Sequence, residues 1–271
     1  MMLTSSQNPR VKAIRALSRR KNRRETGLFF AEGIRLAGEA VQTGADIETL
    51  VVAPELLRSD FGQDTVRRAE QEGVETLNVS SAVFQTLSMK DGPQGIGAVV
   101  RQRWTALDEV SVDDSAPGKT LGWVVLEDVG NPGNLGSILR TSEAVGGSGV
   151  ILLGDTADPY DPASVRGSMG SIFTQQVVRT SLESLIDWQN EADLPMVGAS
   201  DAATVDYREA DYAPPILLCL GSEQHGLSET QRDACDQVVR IPMVGRADSL
   251  NLAVAAGVLL YDVFNWARGA D

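Results

Sequence analysis

Histidine, cysteine and long apolar runs are what this chain has least of. Its 271 residues include one histidine, His225, and two cysteines, Cys219 and Cys235. One imidazole and two separated thiols, with no ligand-spaced cluster, argue against a structural zinc site. Two cysteines make no disulfide framework either, and Cys219, inside the apolar run ILLCL, is expected in a core. No apolar run approaches the roughly 20 residues that span a bilayer. The opening residues, MMLTSSQNPRVKAIR, lack the apolar stretch of a signal peptide. These shortages point to a cytoplasmic protein with no metal and no membrane partner.

Positive charge is scarce overall and unevenly spread. The net charge is −13, yet residues 1–35 hold nine Lys/Arg against two acids and carry +7, so the remainder carries −20. A basic end on an acidic body is the footprint of a polyanion-binding arm. A solvated basic helix gives the same count, and charge alone does not separate the two. The candidate contacts are Arg10, Lys12, Arg19, Arg20, Arg23 and Arg24.

Apolar periodicity divides the chain into two α/β halves. In NPRVKAIRALSRRKNRR, Val11, Ile14 and Leu17 fall at helical spacing. Helices IRLAGEAVQTG, FGQDTVRRAEQEG and SAVFQTLS then alternate with strands ETLVVA, GVETLNVS and QGIGAVVRQRW, which predicts a parallel or mixed sheet. WTALDEVSVDDSAPGKT, residues 104–120, is acidic and polar with Pro117-Gly118, and reads as a linker. The expected division is therefore 1–103, a linker over 104–120, and 121–271. The second half alternates strands and helices again and closes on SLNLAVAAGVLLYDVFNWA. Ligands in such sheets gather at the carboxyl ends of strands. Three unusual loops fall there: EDVGNPGN, GSEQHGLS and IPMVGRADSLN.

The glycines of LEDVGNPGNLGSILRTSEAVG invite a dinucleotide reading. Their spacing is G-x-x-G-x-x-G, whereas the fingerprint needs G-x-G-x-x-G with its second glycine against the pyrophosphate. Asn131-Pro132 fills that place, and proline removes a donor. The helix that follows is more informative. Leu135, Ile138, Leu139 and Ser142 form one buried face, which leaves Asn134 and Arg140 off it.

Taken in order, Asn134 and Arg140 in NPGNLGSILRTSEAVG, Gly221 and Glu223 in GSEQHGLS, and Ser249, Leu250 and Asn251 in IPMVGRADSLNLAVAAGVLLYD resemble the SpoU (TrmH-like) branch of the SPOUT RNA methyltransferases. VRGSMGSIF between them also looks like that family. TSSQNPRVKAIRAL, FFAEGIRLAGEAV and QGIGAVV resemble the RNA-binding domain that many members carry. The resemblance implies a ribosomal-protein-like α/β domain followed by a trefoil-knotted SPOUT α/β domain, with S-adenosylmethionine (AdoMet) as methyl donor. It implies a ribose 2′-hydroxyl of RNA as acceptor, 23S ribosomal RNA before transfer RNA, and a homodimer paired through the closing helices.

By the same resemblance, Arg140 acts on the hydroxyl, as a base or by stabilising developing alkoxide charge. Asn134, Glu223, Ser249 and Asn251 orient it, the ribose and the loops. Gly221, Ile241, Met243 and Leu250 hold the cofactor, with Gly221 giving close approach where a side chain would block it. His225 is expected to be a loop residue. A non-enzymatic RNA-binding protein on the same fold is the rival class; the complete motif set counts against it.

Overall fold

The computed structural model describes residues 2–89, 91–110 and 121–269. The chain forms two compact units. Residues Met1–Gln102 and Tyr160–Thr174 make the first; Arg103–Pro159 and Gln175–Asp271 make the second.

The first unit begins with helices α1 (Pro9–Ala16) and α2 (Arg20–Thr26) and strand β1 (Leu28–Glu32). Helix α3 (Ile34–Gln42), β2 (Ile47–Val52), α4 (Asp60–Gln71), β3 (Thr76–Asn78), α5 (Ser81–Leu87) and β4 (Ile96–Arg101) follow. The sheet order is β1-β4-β2-β3; β4 runs antiparallel to both neighbours and β2 pairs parallel with β3. Val11, Ile14 and Leu17 pack with Val51, Phe84 and Val99 in its core. Burying a side chain of this size contributes roughly 1.5–3 kcal/mol.

The basic N-terminal stretch is two helices, not one continuous element. The break frees the carbonyls of Leu17 and Ser18, and the Arg23 guanidinium donates to both, at 2.9 and 3.0 Å. Its other nitrogen pairs with Asp161 at 3.1 Å. Asp161 also caps the short helix α6 (Pro162–Ser168) by accepting the Ala163 N–H at 2.9 Å. Around it, Tyr160 packs at a tilt against Phe29 and Phe173 stacks on it, with ring centroids 4.8 and 6.2 Å apart.

 Helix α6 thus lies, in sequence, within the span expected to form the second domain, yet it packs as part of the first unit.

The second unit is one seven-stranded sheet. Its strands are β5 (Gly122–Glu127), β6 (Gly149–Leu153), β7 (Gln176–Arg179), β8 (Met196–Ala199), β9 (Val205–Asp206), β10 (Ile216–Leu220) and β11 (Gln237–Arg240). The order is β7-β6-β5-β10-β8-β11-β9, and every pairing is parallel. Strands β6 and β10 are buried at every position, as expected of continuous apolar runs in a sheet covered on both faces. The order in which the chain lays down its strands reverses between β5 and β10, a switch point beyond whose carboxyl ends ligands of such sheets bind.

The expected linker departs from the sequence reading. Thr105 donates its N–H to Val177 at 3.0 Å, Leu107–Glu109 form a 3-10 turn, and Val110 is buried with Trp123, Ile151 and Leu185. Residues 104–110 are therefore part of the second unit, because their few apolar side chains find its core. The rest of that expected linker, 111–120, lies outside the described residues.

Candidate active site

The site is assembled from the three loops that leave β5, β10 and β11. After β5, Asn131 caps the motif helix Pro132–Ala144, its side chain accepting the Gly133 N–H at 2.8 Å, with Pro132 at the first helical position. Proline fits there because that N–H has no partner within the helix. Leu135, Ile138, Leu139 and Ser142 are all buried, which leaves Asn134 half-buried and Arg140 exposed.

Asn134 is the hub. Its amide nitrogen donates to the Glu223 carboxylate in a short hydrogen bond, and its amide oxygen accepts from Asn251 at 3.1 Å. Three residues from three separate motifs are thereby joined side chain to side chain. Asn251 has a second task. Its side-chain oxygen accepts the N–H groups of Ala253 and Val254, at 3.0 and 3.4 Å, and so caps the closing helix Leu252–Gly269. Ser249 and Leu250 accordingly lie before the helix and not within its first turn.

The loop after β10 holds itself. Ser222 and Gly226 exchange backbone hydrogen bonds at 3.0 Å each, and Ser222 Oγ accepts the His225 N–H at 3.0 Å. The expected reason for Gly221 changes here. A Cβ at Gly221 would fall 2.0 Å from the Gly226 carbonyl carbon, so glycine is required by the loop's own fold. His225 is an exposed loop residue.

Ile241 is half-buried, and residues 242–250 are all exposed, with Met243 and Leu250 each at 38%. Among the described residues, the backbone groups of 242–250 make no hydrogen bond to other backbone. Neither Arg140 nor Ser249 has a side-chain hydrogen bond or ion pair among the described residues. The geometry thus joins Asn134, Glu223 and Asn251 and leaves Arg140 and Ser249 unengaged.

Two carboxylates at the end of β5 were not singled out in the sequence, although the loop that carries them was. Glu127 ends β5; burial first, then the neighbouring Asp128 charge, raises its carboxyl above the ordinary value of 4.5. Asp128 adopts a positive φ of 48° and accepts the Asp155 N–H at 2.8 Å, tying the β5 and β6 loops together. A carboxylate at the end of an apolar strand was the available signal.

Of the basic residues expected to grip a polyanion, Lys12, Arg19, Arg20 and Arg24 are exposed. Arg23 is not available: it is 1% exposed, held by Asp161 and two carbonyls. Arg10 is exposed but forms a two-pronged ion pair with Glu75, which holds the Glu75 carboxyl below its ordinary value.

Among the described residues no group of histidine, cysteine and acidic side chains could hold a metal ion, and no helix is long and apolar enough to cross a membrane.

Known proteins with this arrangement are similar over nearly the whole chain. The pattern of the SpoU rRNA Methylase family matches residues 123–261, and that of the MRM3-like substrate binding domain matches residues 8–98. The 23S rRNA (uridine(2479)-2'-O)-methyltransferase of Streptomyces viridochromogenes is 33% identical over 265 residues, covering 95% of this chain and 90% of that protein. The 23S rRNA (guanosine(2553)-2'-O)-methyltransferase RlmP of Bacillus subtilis (strain 168) is 28% identical over 260 residues, covering 96% and 97%. The crystal structure of an AdoMet-bound rRNA methyltransferase from Sinorhizobium meliloti superposes with a TM-score of 0.87 at 38% identity, covering 98% of this chain and 97% of that one.

Proposed function

The chain belongs to the SpoU rRNA methylase family, and we propose on that premise that it transfers the methyl group of AdoMet to a ribose 2′-hydroxyl of 23S ribosomal RNA. The observation that carries this reading is the hydrogen-bonded set Glu223, Asn134 and Asn251, which draws three motif loops to one place. The Streptomyces and Bacillus relatives reported above are 23S rRNA methyltransferases, which favours 23S ribosomal RNA over transfer RNA as substrate.

The residues present fit the cofactor. Loop 242–250 offers unpaired backbone amides and carbonyls for an adenine edge, and Met243, Leu250 and the half-buried Ile241 offer apolar surface for its faces. When bound, AdoMet supplies an electrophilic methyl for in-line displacement by the ribose oxygen; alignment is left to the protein. Arg140 stays protonated in any protein setting. It therefore serves by stabilising the charge that develops on the ribose oxygen and by holding the adjacent phosphate, with the hydroxyl proton released to water. Asn134, fixed from both sides, positions the helix that carries Arg140. Ser249 contributes a free hydroxyl for the ribose or its phosphate.

The enzyme works as a homodimer in the cytoplasm. Val254 and Tyr261 lie seven residues apart on the closing helix, 53% and 49% exposed, so they share a face. A second copy would cover that apolar stripe.

The test is transfer of labelled methyl to unmodified ribosomal RNA and, separately, to transfer RNA. Label in 23S ribosomal RNA is expected. Label in transfer RNA alone would overturn the substrate. AdoMet binding without transfer to either would favour an assembled particle as substrate, and no AdoMet binding would favour a non-enzymatic protein.

A further inference from the structure

The VRGSMGSIF motif contributes an arginine that the site above does not use. Arg166 sits exposed on α6 in the first unit and, among the described residues, makes no hydrogen bond or ion pair. Other arginines of that unit are answered by an acid: Arg10 by Glu75, Arg23 by Asp161, Arg35 by Glu39, Arg67 by Asp64, Arg68 by Glu72 and Arg101 by Asp46 and Glu48. Arg15, half-buried in the last turn of α1, is unanswered too. Arg15 and Arg166 line one and the same pocket.

That pocket is an open cleft, with ≈ 460 Å³ of empty space when the solvent at its mouth is counted. Its floor is apolar, with Ile14, Leu17, Leu87 and Val165 all buried. Phe30 forms a wall; its ring lies over Gly97, where any side chain would collide with it, so the ring has a flat seat. Met89, 60% exposed, stands at the mouth. Glu32 also faces the pocket, but its carboxylate already accepts from Ser88 Oγ and, at 3.0 Å, from the Met89 N–H. It is thus a fixed acceptor that favours a partner bearing N–H groups.

A flat apolar body with an anion attached and N–H groups at its edge describes a nucleotide. We propose that this pocket takes one unpaired nucleotide of the RNA, with the base against Phe30 and the apolar floor and its phosphate between Arg15 and Arg166. The assignment rests on the RNA reading above and gives the first unit a defined subsite in addition to diffuse charge. Guanidinium forks suit phosphate oxygens, and aromatic faces take unstacked bases whatever their sequence. A helical duplex keeps its bases stacked, so it cannot offer one to the pocket.

The experiment uses the full chain and a fluorescein-labelled single-stranded RNA decamer of mixed sequence, with affinity followed by anisotropy over a series of salt concentrations. Arg15→Gln/Arg166→Gln is expected to bind roughly tenfold more weakly at low salt, and its plot of log affinity against log salt to flatten by about 0.7 for the one phosphate no longer neutralised. Met89→Ala is expected to weaken binding without changing the slope. Arg67→Gln/Arg68→Gln removes the same charge from the same unit and is expected to stay within twofold. An unchanged Arg15/Arg166 variant, an equal loss in the Arg67/Arg68 variant, or an equal effect on an RNA duplex would overturn the subsite alone. Absence of RNA binding by the unaltered chain, with AdoMet still bound, would overturn the RNA reading together with it.

Discussion

In the first unit, Arg23 is buried and its guanidinium is held by Asp161 and two carbonyls. In the second, Arg140 stands exposed beside a set of side chains that hydrogen-bond one another and leave it alone. The two residues are alike in sequence terms, each an arginine on a helix. What separates them is whether the fold supplies a partner. An arginine already paired is part of the architecture; one left unpaired in a crevice or at a pocket has interactions to offer a ligand. The same contrast divides Arg10 from Arg15 within a single helix.

The sharpest way to break this comparison is to truncate the unpaired member. Arg140→Ala is expected to slow methyl transfer by about 100- to 1000-fold, the usual cost of losing one donor to a developing oxyanion. AdoMet affinity, read by calorimetry, should stay within twofold. Retained activity would remove Arg140 from its role. Truncating the paired member should act on stability instead. Arg23→Ala leaves Asp161 and two carbonyls without their donor, and since Asp161 is 32% exposed the loss is expected near the lower end for such pairs, about 3 kcal/mol, in urea unfolding. A wild-type midpoint would show that the pair contributes nothing.

Smaller effects sharpen the contrast. Arg19→Gln/Arg24→Gln should weaken RNA binding and flatten its salt dependence, whereas Arg10→Gln should change it little because Glu75 already answers that charge. Equal losses in the two would mean that internal pairing does not matter. The smallest effect concerns Glu127. Its folded-state carboxyl titrates above its ordinary 4.5, so ionising it costs stability. That cost is absent below the unfolded value and grows as pH rises through the folded one. Glu127→Gln should therefore match the unaltered chain near pH 4 and be slightly more stable at neutral pH; the reverse order would contradict the burial argument.

Much of this was readable from residues alone. Val11, Ile14 and Leu17 at helical spacing are all buried, and so are Leu135, Ile138, Leu139 and Ser142. Local periodicity carries such information because each element buries one face. The break between α1 and α2 was not readable, since it depends on Arg23 meeting Asp161, 138 residues away. Strand β1 was missed for the same reason: LFFAE is short, and its place beside β4 is a long-range pairing. The assignment of 160–174 to the first unit is a tertiary fact with no local signal. In the site, Asn134, Glu223 and Asn251 could be named from their motifs, but their mutual hydrogen bonds could not. Gly221 shows the limit most clearly, because the residue was legible and the cause, a turn closing on its own backbone, was not.

The central claim concerns where the methyl group goes. The most direct measurement is mass spectrometry of nucleosides from 23S ribosomal RNA after incubation with the enzyme and AdoMet. A single nucleoside methylated on its ribose 2′-oxygen, in a fragment resistant to alkaline cleavage at that position, is the predicted result. A methyl group on a base, or no modified nucleoside from RNA that the enzyme binds, would contradict it.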